Sequence, residues 1–429
     1  MKVLVLGSGG REHALAWTLA REAGVDEVLC APGNPGTAEC ARNVSLDILS
    51  PEAVTAFVAT EGVDLTVIGP EQPLAAGVSD ALRASGAAVF GPSQAAARLE
   101  TSKAFSKAFM ERHGVPTAKA RICRTPAEAE EAVRGFGAPV VIKADGLAAG
   151  KGVTVAATLD EALAAVDAAM RHAAFGTAGE TVVVEECLTG PEVSFFALCD
   201  GERGLALATA QDHKRALDHD EGPNTGGMGA LAPSPLVDDE LSAQVMRTIV
   251  EPVLRGMRQE GAPFAGVLYC GLMLTPDGPK VIEFNVRFGD PEAQVVLPLL
   301  PVPLSPLLRA AATGSLPAAP LPPPHGTRVG VVIASGGYPG PMTTGYVIEG
   351  LEAAAALDGV VVFHAGSRLR QGDGGQPPAD VVTAGGRVLT IVGKGATLRE
   401  ARDRAYEGVA RVAFTDMHVR RDIAERYVR

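Results

Sequence analysis

The sequence predicts a multidomain protein of mixed α/β and α+β class, and three observations support this. The chain has 429 residues, which corresponds to about three domains of ordinary size. Residues 1–105 alternate short apolar runs with helical patterns, as expected for a parallel sheet covered by helices on both faces. A proline-rich stretch, GSLPAAPLPPP at 314–324, separates a last compact region from the rest of the chain.

Local signals predict the individual elements. Lys2–Leu6 is a Val- and Leu-rich run typical of a buried strand, and a glycine-rich turn follows it. Ser50 and Pro51 predict a helix start, because Ser caps the first turn and Pro fits its first position. Three capping boxes predict further helix starts, at Thr125–Glu128, Thr158–Glu161 and Thr397–Glu400. Further strands are predicted at 64–69, 87–91, 139–143, 152–156, 267–274, 280–285, 329–334, 360–364 and 387–392.

These elements divide the chain into four folded parts. The second part is a small α+β unit, because two strands joined by a glycine-rich loop lie between two helix starts. The predicted bounds are 1–105 for an N-terminal α/β domain, 106–120 for a connection, 121–190 for the small unit, 191–313 for a larger sheet domain, 314–327 for the proline-rich linker and 328–429 for a small C-terminal α/β domain.

The composition excludes several classes of function. The formal net charge of −12 and the 4% aromatic content argue against a nucleic-acid-binding protein. The six cysteines contain no CxxC pair, so a zinc ribbon or disulfide framework is not expected, and a reducing cytoplasm fits best. No apolar run approaches the roughly 18 residues of a membrane span, so we expect no membrane association.

Two glycine-rich turns are candidate phosphate sites. Gly7–Glu12 (GSGGRE) leads into a helix whose first amides could hold a phosphate beside Arg11, although a plain tight turn remains an alternative. The dinucleotide-binding fingerprint requires Gly or Ala where this sequence has Glu12, and it requires an acidic residue at the end of the next strand, where this sequence has none. A dinucleotide site is therefore not expected at this turn. Gly146–Gly152 (GLAAGKG) lacks the spacing of a P-loop. Lys143 before it could clamp phosphates while the loop closes, and a simple hairpin connection is the alternative.

Two further motifs carry clustered polar residues. The apolar strand at 182–184 ends in Glu185 and Glu186, which could accept hydrogen bonds from a nucleotide base, or could be a solvated strand end. In EFNVRFGDPE, Glu283, Asn285 and Arg287 share one strand face. Glu and Asn oxygens suit magnesium and Arg suits a carboxylate, whereas a salt-bridged face is the alternative. The lone His213 is more typical of a structural residue than of a general base.

The order of these motifs resembles the phosphoribosylamine–glycine ligases, also called glycinamide ribonucleotide synthetases, of the ATP-grasp superfamily. The resemblance runs nearly end to end. The matching stretches are VLVLGSGGREHALAW at 3–17, APGNPGTA at 31–38, GPEQPLAAGVSDAL at 69–82, TSKAFSKAFM at 101–110, VIKADGLAAGKGV at 141–153, QDHKRALDHDEGPNTGGMGA at 211–230, GVLYCGLM at 266–273 and EFNVRFGDPEAQ at 283–294.

The resemblance implies that 121–190 is an ATP-grasp lid and 191–313 the central ATP-grasp domain. It implies a cytoplasmic enzyme of purine biosynthesis that joins glycine to 5-phosphoribosylamine and gives glycinamide ribonucleotide, ADP and phosphate through glycyl phosphate. It favours a monomer that makes transient contact with the preceding pathway enzyme. Two alternatives stay open: another ATP-grasp carboxylate–amine ligase, whose ATP cleavage would not depend on glycine, or a non-catalytic nucleotide or sugar-phosphate sensor, which would release no phosphate.

The resemblance also implies roles for individual residues. ATP would be bound by Lys103, Lys143, Glu185, Glu186, Leu188, Glu192 and Lys214. Glu283 and Asn285 would bind Mg²⁺ or Mn²⁺, although the strand before them, 268–273, lacks the further acid that many ATP-grasp enzymes carry there. The substrates would be bound by Gly9, Gly10, Arg11, Glu12, Asn34, Glu71, Asp212, Arg287, Gly289 and Asp290. Asp212 would hold the glycine ammonium and Arg287 its carboxylate, and Lys143, Arg287 and Asp290 would be catalytic.

Overall fold

The N-terminal part contains a parallel sheet, as the alternation of strand and helix signals predicts. The computed structural model describes residues 1–146, 152–172, 174, 176–370 and 380–428. The strands are β1 (Lys2–Gly7), β2 (Glu27–Pro32), β3 (Arg42–Asn43), β4 (Leu65–Ile68) and β5 (Val89–Phe90), in the order β3-β2-β1-β4-β5. The helices are α1 (Gly10–Leu19), α2 (Pro51–Glu61), α3 (Glu71–Ala75), α4 (Val78–Ala84), α5 (Gln94–Thr101) and the connecting α6 (Lys103–Arg112).

The next part is a four-stranded antiparallel sheet with two helices, which we call the lid. Its elements are β6 (Ala120–Cys123), α7 (Pro126–Phe136), β7 (Val140–Ala144), β8 (Val153–Ala156), α8 (Leu159–Met170) and β9 (Val182–Glu186), with the strand order β6-β9-β7-β8. The lid has an apolar core of its own, built from residues between Cys123 and Val184. Polar contacts described below join it to the remaining parts.

The third part supplies the strands that carry most of the candidate site. Its strands are β10 (Glu192–Asp200), β11 (Gly204–Asp212), β12 (Arg215–Leu217), β13 (Glu221–Asn224), β14 (Gly229–Ala232), β15 (Ala265–Thr275) and β16 (Gly278–Asn285). Its helices are α9 (Asp239–Val245), α10 (Glu251–Gln259), α11 (Glu292–Val296) and α12 (Leu304–Thr313). β12 and β13 form a separate two-stranded hairpin.

The C-terminal part continues the same sheet across the proline-rich linker. Its elements are β17 (Thr327–Ser335), α13 (Leu351–Ala355), β18 (Val360–His364), β19 (Ser367–Leu369), β20 (Val381–Thr383), β21 (Arg387–Gly395), α14 (Leu398–Val409) and β22 (Met417–Val419). The sheet order is β16-β15-β10-β11-β14-β17-β21-β18, with β22 paired to β17. Because β14 pairs directly with β17, the C-terminal part is joined to the third part by backbone hydrogen bonds.

The helix starts read from the sequence are confirmed by side-chain caps. The hydroxyl of Ser50 accepts a hydrogen bond from Ala53 N at 3.2 Å, and Thr125, Thr158 and Thr397 cap α7, α8 and α14 in the same way. All six cysteines are free thiols. Among the described residues, no single helix is long and apolar enough to span a bilayer. Glu292–Leu299 and Leu304–Thr313 reach that length and composition only together, across a bend of 106°.

Candidate active site

A cavity of about 840 Å³ lies where the parts meet, and most of the predicted site residues line it. Those on its wall are Arg11, Glu71, Lys103, Lys143, Glu185, Glu186, Leu188, Glu192, Asp212, Lys214, Glu283, Asn285, Arg287, Gly289 and Asp290. The cavity has two chemically different ends. We call them the lysine end, defined by Lys103, Lys107, Lys143 and Glu185, and the arginine end, defined by Arg11, Arg287, Arg387 and Asp290.

At the lysine end a buried carboxylate is held between two lysines. The Glu185 side chain forms ion pairs with Lys143 at 2.9 Å and with Lys107 at 3.1 Å. Lys107 also donates to the Thr117 hydroxyl at 2.8 Å, and Lys143 donates to the backbone oxygen of Ile282 at 2.9 Å. These contacts tie β7 and β9 of the lid to α6 and β16. A hydrogen bond from Lys143 to an ATP phosphate would therefore replace contacts that it makes here.

The beginning of α6 is bonded to the start of the glycine-rich loop. The Asp145 carboxylate accepts hydrogen bonds from Ala104 N at 3.1 Å and from the Ser102 hydroxyl at 3.2 Å. Lys103 donates to the backbone oxygen of Gly146 at 2.9 Å, and burial lowers the pKa of this lysine. The rest of the predicted phosphate loop, 147–151, lies outside the described residues.

A second charged group lies at the end of β11. Lys214 forms an ion pair with Glu192 at 3.1 Å. Burial raises the pKa of Asp212 to about 7, although the charge of Lys214 opposes this shift. Burial alone would lower the pKa of Lys214, but Asp212 and Glu192 raise it well above its ordinary value. Asp212 therefore titrates near neutral pH while Lys214 stays charged.

Glu283 and Asn285 supply the oxygen donors that a divalent cation prefers. Both line the cavity from β16, two positions apart along the strand, so their side chains share a face. Burial would raise the pKa of Glu283, but Lys214, Lys143 and Lys103 lower it below its ordinary value, so the carboxylate is ionised. Within the described residues no three acidic, His or Cys side chains cluster as a complete metal site. The pair fits a hard cation whose shell is completed by phosphate oxygens and water.

At the arginine end, Arg287 is matched by two carboxylates. Its guanidinium lies 2.8 Å from Glu100 and 3.3 Å from Glu71. Burial would lower the pKa of Arg287, but Glu100 and Glu71 raise it. Glu100 also accepts a hydrogen bond from Val286 N at 2.8 Å. The predicted glycine ligand Arg287 is thus held in place by carboxylates of the protein.

Asp290 is held by three parts of the fold. Its carboxylate accepts hydrogen bonds from Arg11 N at 3.2 Å and from the Gln294 amide at 3.0 Å, and it lies 3.4 Å from the Arg387 guanidinium. Burial would raise the pKa of Asp290, but Arg387 and Arg11 lower it below its ordinary value. Asp290 is therefore an ionised acceptor.

Four of the predicted sugar-phosphate residues, Gly9, Gly10, Glu12 and Asn34, do not line the cavity. Glu12 accepts hydrogen bonds from Gly9 N at 2.6 Å and from Arg11 Nε at 2.5 Å. Asn34 donates to the backbone oxygens of Ser8 and His364 at 2.8 and 2.9 Å. Gly9 and Gly10 leave room for the side chains of Glu12 and Gln294. A Cβ atom added to Gly9 would lie 2.8 Å from Glu12, and one added to Gly10 would lie 2.4 Å from Gln294, so a larger residue would collide at either position. The backbone amides of Gly9 and Arg11, which the sequence analysis proposed for phosphate binding, thus donate to carboxylates of the protein.

The cavity also contains residues that sequence reasoning missed. They include Glu100, Lys107, Tyr269, Glu292, Arg387 and Tyr427. Glu292 accepts hydrogen bonds from Ser194 and Tyr269, at 3.2 and 3.1 Å, and its place beside RFGD was the available signal. His213 accepts a hydrogen bond from Ala424 N, and burial lowers its pKa to about 4, so it is neutral. This agrees with a structural role.

Comparison with known proteins decides the family. Models of the phosphoribosylglycinamide synthetase N domain, ATP-grasp (A) domain and C domain match residues 1–100, 101–293 and 328–426. The chain belongs to the phosphoribosylglycinamide synthetase family. Two phosphoribosylamine–glycine ligases are 52% identical to it: that of Mesorhizobium japonicum (99% of this chain, 97% of the relative) and that of Streptomyces coelicolor (99% of both).

Solved structures agree with this family. The crystal structure of phosphoribosylamine–glycine ligase from Thermotoga maritima matches with a TM-score of 0.85 at 34% identity, over 99% of this chain and all of that one. A biotin carboxylase domain from Hydrogenobacter thermophilus matches with a TM-score of 0.72 over 97% of this chain and 91% of that one, at 18% identity, which indicates a shared fold alone. The predicted fold class and the predicted ATP-dependent ligase activity, of ATP-grasp type, are confirmed.

Proposed function

We propose that the chain binds ATP at the lysine end, binds glycine and 5-phosphoribosylamine towards the arginine end, and joins the two substrates within the one cavity. The observation that carries this proposal is the junction of the two ends along β16. Glu283 and Asn285 lie on this strand and Arg287 follows it, so the residues proposed for the metal and for glycine are neighbours in the chain. Lys143, proposed for phosphate, donates to the backbone oxygen of Ile282 on the same strand. The names of the relatives support the choice of substrates, and the charges of the cavity support the proposed arrangement.

The first step is activation of glycine. A carboxylate oxygen of glycine attacks the γ-phosphorus of ATP, the bond to the bridging oxygen breaks, and ADP and glycyl phosphate form. Lys103 and Lys143 offset the charge of the transferring phosphoryl group. Glu283 and Asn285 would hold Mg²⁺ or Mn²⁺, which when bound would neutralise phosphate oxygens.

The second step forms the amide. The amine nitrogen of phosphoribosylamine attacks the acyl carbon, the carbon–oxygen bond to phosphate breaks, and the nitrogen loses a proton. Asp212 would hold the glycine ammonium in both steps, and Arg287 would orient the carboxylate for the first. Asp290 would accept a hydrogen bond from the attacking amine in the second. Fixed geometry of this kind can lower a barrier by about 7–11 kcal/mol.

ATP recognition would use the edge of the lid. Glu185 and Glu186, with the backbone at Leu188, would face adenine, and Glu192 beside Lys214 would accept hydrogen bonds from ribose hydroxyls. Closure of the lid would exclude water, which otherwise hydrolyses an acyl phosphate.

The test is phosphate release from ATP and magnesium. Phosphoribosylamine is generated in place from ribose 5-phosphate and ammonia, and glycine is added or withheld. We expect release only when both substrates are present. Release that ignores glycine would contradict the proposed substrate, and binding of ATP with no release under any condition would indicate a sensor.

A further inference from the structure

The arginine end contains three guanidinium groups that could hold the phosphate of a sugar phosphate, and they differ in how far carboxylates already neutralise them. Arg287 faces Glu71 and Glu100, and 18% of its side chain is exposed. Arg11 donates to Glu12 and to the backbone oxygen of Phe288 at 3.1 Å, and 9% of its side chain is exposed. The charge of each of these two guanidinium groups is thus already matched by a carboxylate of the protein.

Backbone amides at the N-terminus of α1 have carboxylate partners as well. Gly9 N donates to Glu12 and Arg11 N donates to Asp290. These amides would have to give up their carboxylate partners before they could bind a phosphate. The glycine-rich turn is therefore a poor receptor for the substrate phosphate in this structure.

Arg387 differs from both of these arginines. Its Nη1 donates to the backbone oxygens of Gly226 and Asp290, each at 2.6 Å, so neutral acceptors fix the plane of the guanidinium. Within the described residues its carboxylate contact is the 3.4 Å approach of Nη2 to Asp290. Arg387 lines the cavity, and 22% of its side chain is exposed.

We propose that Arg387, at the start of β21, binds the 5′-phosphate of the sugar-amine substrate and of the ribonucleotide product. A planar guanidinium with a fixed orientation suits two phosphate oxygens at once. Asp290 keeps its hydrogen bonds from Arg11 N and Gln294, so it does not depend on Arg387 alone. The inference rests on the proposed function, and it gives the C-terminal part a direct contact with substrate.

The experiment is a thermodynamic cycle on the whole protein. Dissociation constants are measured by calorimetry for glycinamide ribonucleotide and for the same compound without its 5′-phosphate. Both ligands are compared on the wild type and on Arg387→Met. Because hydrogen bonds to charged groups are strong, we expect the phosphorylated ligand to bind about 10- to 100-fold more weakly to the variant. The unphosphorylated ligand should change by less than about threefold.

Matched variants keep the outcome interpretable. Arg411→Met removes an exposed arginine of the same part, whose ion pair with Glu407 spans 3.9 Å, and should leave both constants unchanged. Arg387→Lys retains the positive charge but lacks the planar guanidinium, so it should keep part of the preference for the phosphorylated ligand. If Arg387→Met does not bind ADP, Arg387→Lys replaces it in the cycle. Equal weakening of both ligands, or none, would overturn the proposal. A wild type that binds neither ligand would instead overturn the proposed function.

Discussion

The two ends of the cavity differ in the acceptors that hold their positively charged side chains. At the lysine end, Lys107 and Lys143 share Glu185, and Lys103 donates to a backbone oxygen. At the arginine end, each arginine faces at least one carboxylate. Lys107 and Lys143 thus share one carboxylate and use neutral acceptors as well, whereas each arginine has a carboxylate of its own.

This difference matches the chemistry of the two types of side chain. Lysine is a point charge on a flexible stem and can move from a protein carboxylate to a phosphate. The guanidinium of arginine is planar and presents its donors in fixed directions. Here Arg287 contacts Glu71 and Glu100, and Arg387 contacts Asp290. We conclude that the lysines can exchange a protein partner for a highly charged ligand, and that Arg11 and Arg287 fix positions at the arginine end.

The strongest test of this difference between the two ends is to remove the positive charge of Arg287. Arg287→Met would leave Glu71 and Glu100 buried without their counter-charge, so we expect the free energy of unfolding to fall by about 3–5 kcal/mol. The loss should shrink as the pH is lowered, because protonated carboxyls no longer need the cation. Urea unfolding at pH 8 and pH 5.5 measures both effects. An equal loss at the two pH values would contradict a charge-matching role.

At the lysine end we expect an effect on activity and not on folding. Lys143→Met removes a proposed phosphate ligand, but Lys107 remains beside Glu185. The kcat for phosphate release should fall by about 10²- to 10³-fold, as for other groups that stabilise transition-state charge. The exposed Lys119 is the control, and Lys119→Met should behave as the wild type. Near-normal turnover of the Lys143 variant would exclude the assigned role.

The pKa of Asp212, about 7, predicts a pH-dependent affinity for glycine. Below this pH the protonated carboxyl cannot pair with the glycine ammonium. The dissociation constant of glycine should therefore rise towards tenfold for each pH unit below 7, and it should level off above 7. Calorimetry with a non-hydrolysable ATP analogue and magnesium measures it. Asp212→Asn should bind glycine weakly at every pH, and a sloping profile in that variant would assign the titration to another group.

The smallest expected effect lies at the ribose site. Glu192 is exposed and pairs with Lys214, so Glu192→Gln removes one charged acceptor of a hydrogen bond. We expect the KM for ATP to rise about fivefold with kcat nearly unchanged. The same substitution at the exposed Glu180 should have no effect. A fall in kcat without a change in KM would move Glu192 from nucleotide binding to catalysis.

The sequence predicted those parts of the site that depend on local spacing. Glu283, Asn285 and Arg287 could be placed on one face because strand side chains alternate, and Lys143 could be placed at a strand end beside a glycine-rich loop. The helix caps at Ser50 and Thr125 were equally local. Such features can be predicted from neighbouring residues in the sequence, without information on how distant segments pack together.

Residues whose place depends on the packing of distant segments could not be predicted in this way. Arg387 reaches the cavity because β14 pairs with β17 across the proline-rich linker, and no periodicity encodes that pairing. Lys107 meets Glu185 only when the lid lies against α6. Glu12 and Asn34 belong to motifs of the resemblance, but their side chains serve backbone groups within the fold.

The central claim is that one cavity activates the carboxylate of glycine with ATP before the amine attacks. Glycine labelled with ¹⁸O in its carboxylate tests this directly, because the attacking oxygen stays on phosphorus when the amide forms. With phosphoribosylamine and magnesium ATP present, mass spectrometry should find one ¹⁸O atom in each inorganic phosphate released. Unlabelled phosphate formed together with the amide product would contradict a glycyl phosphate intermediate and with it the account given for both ends of the cavity.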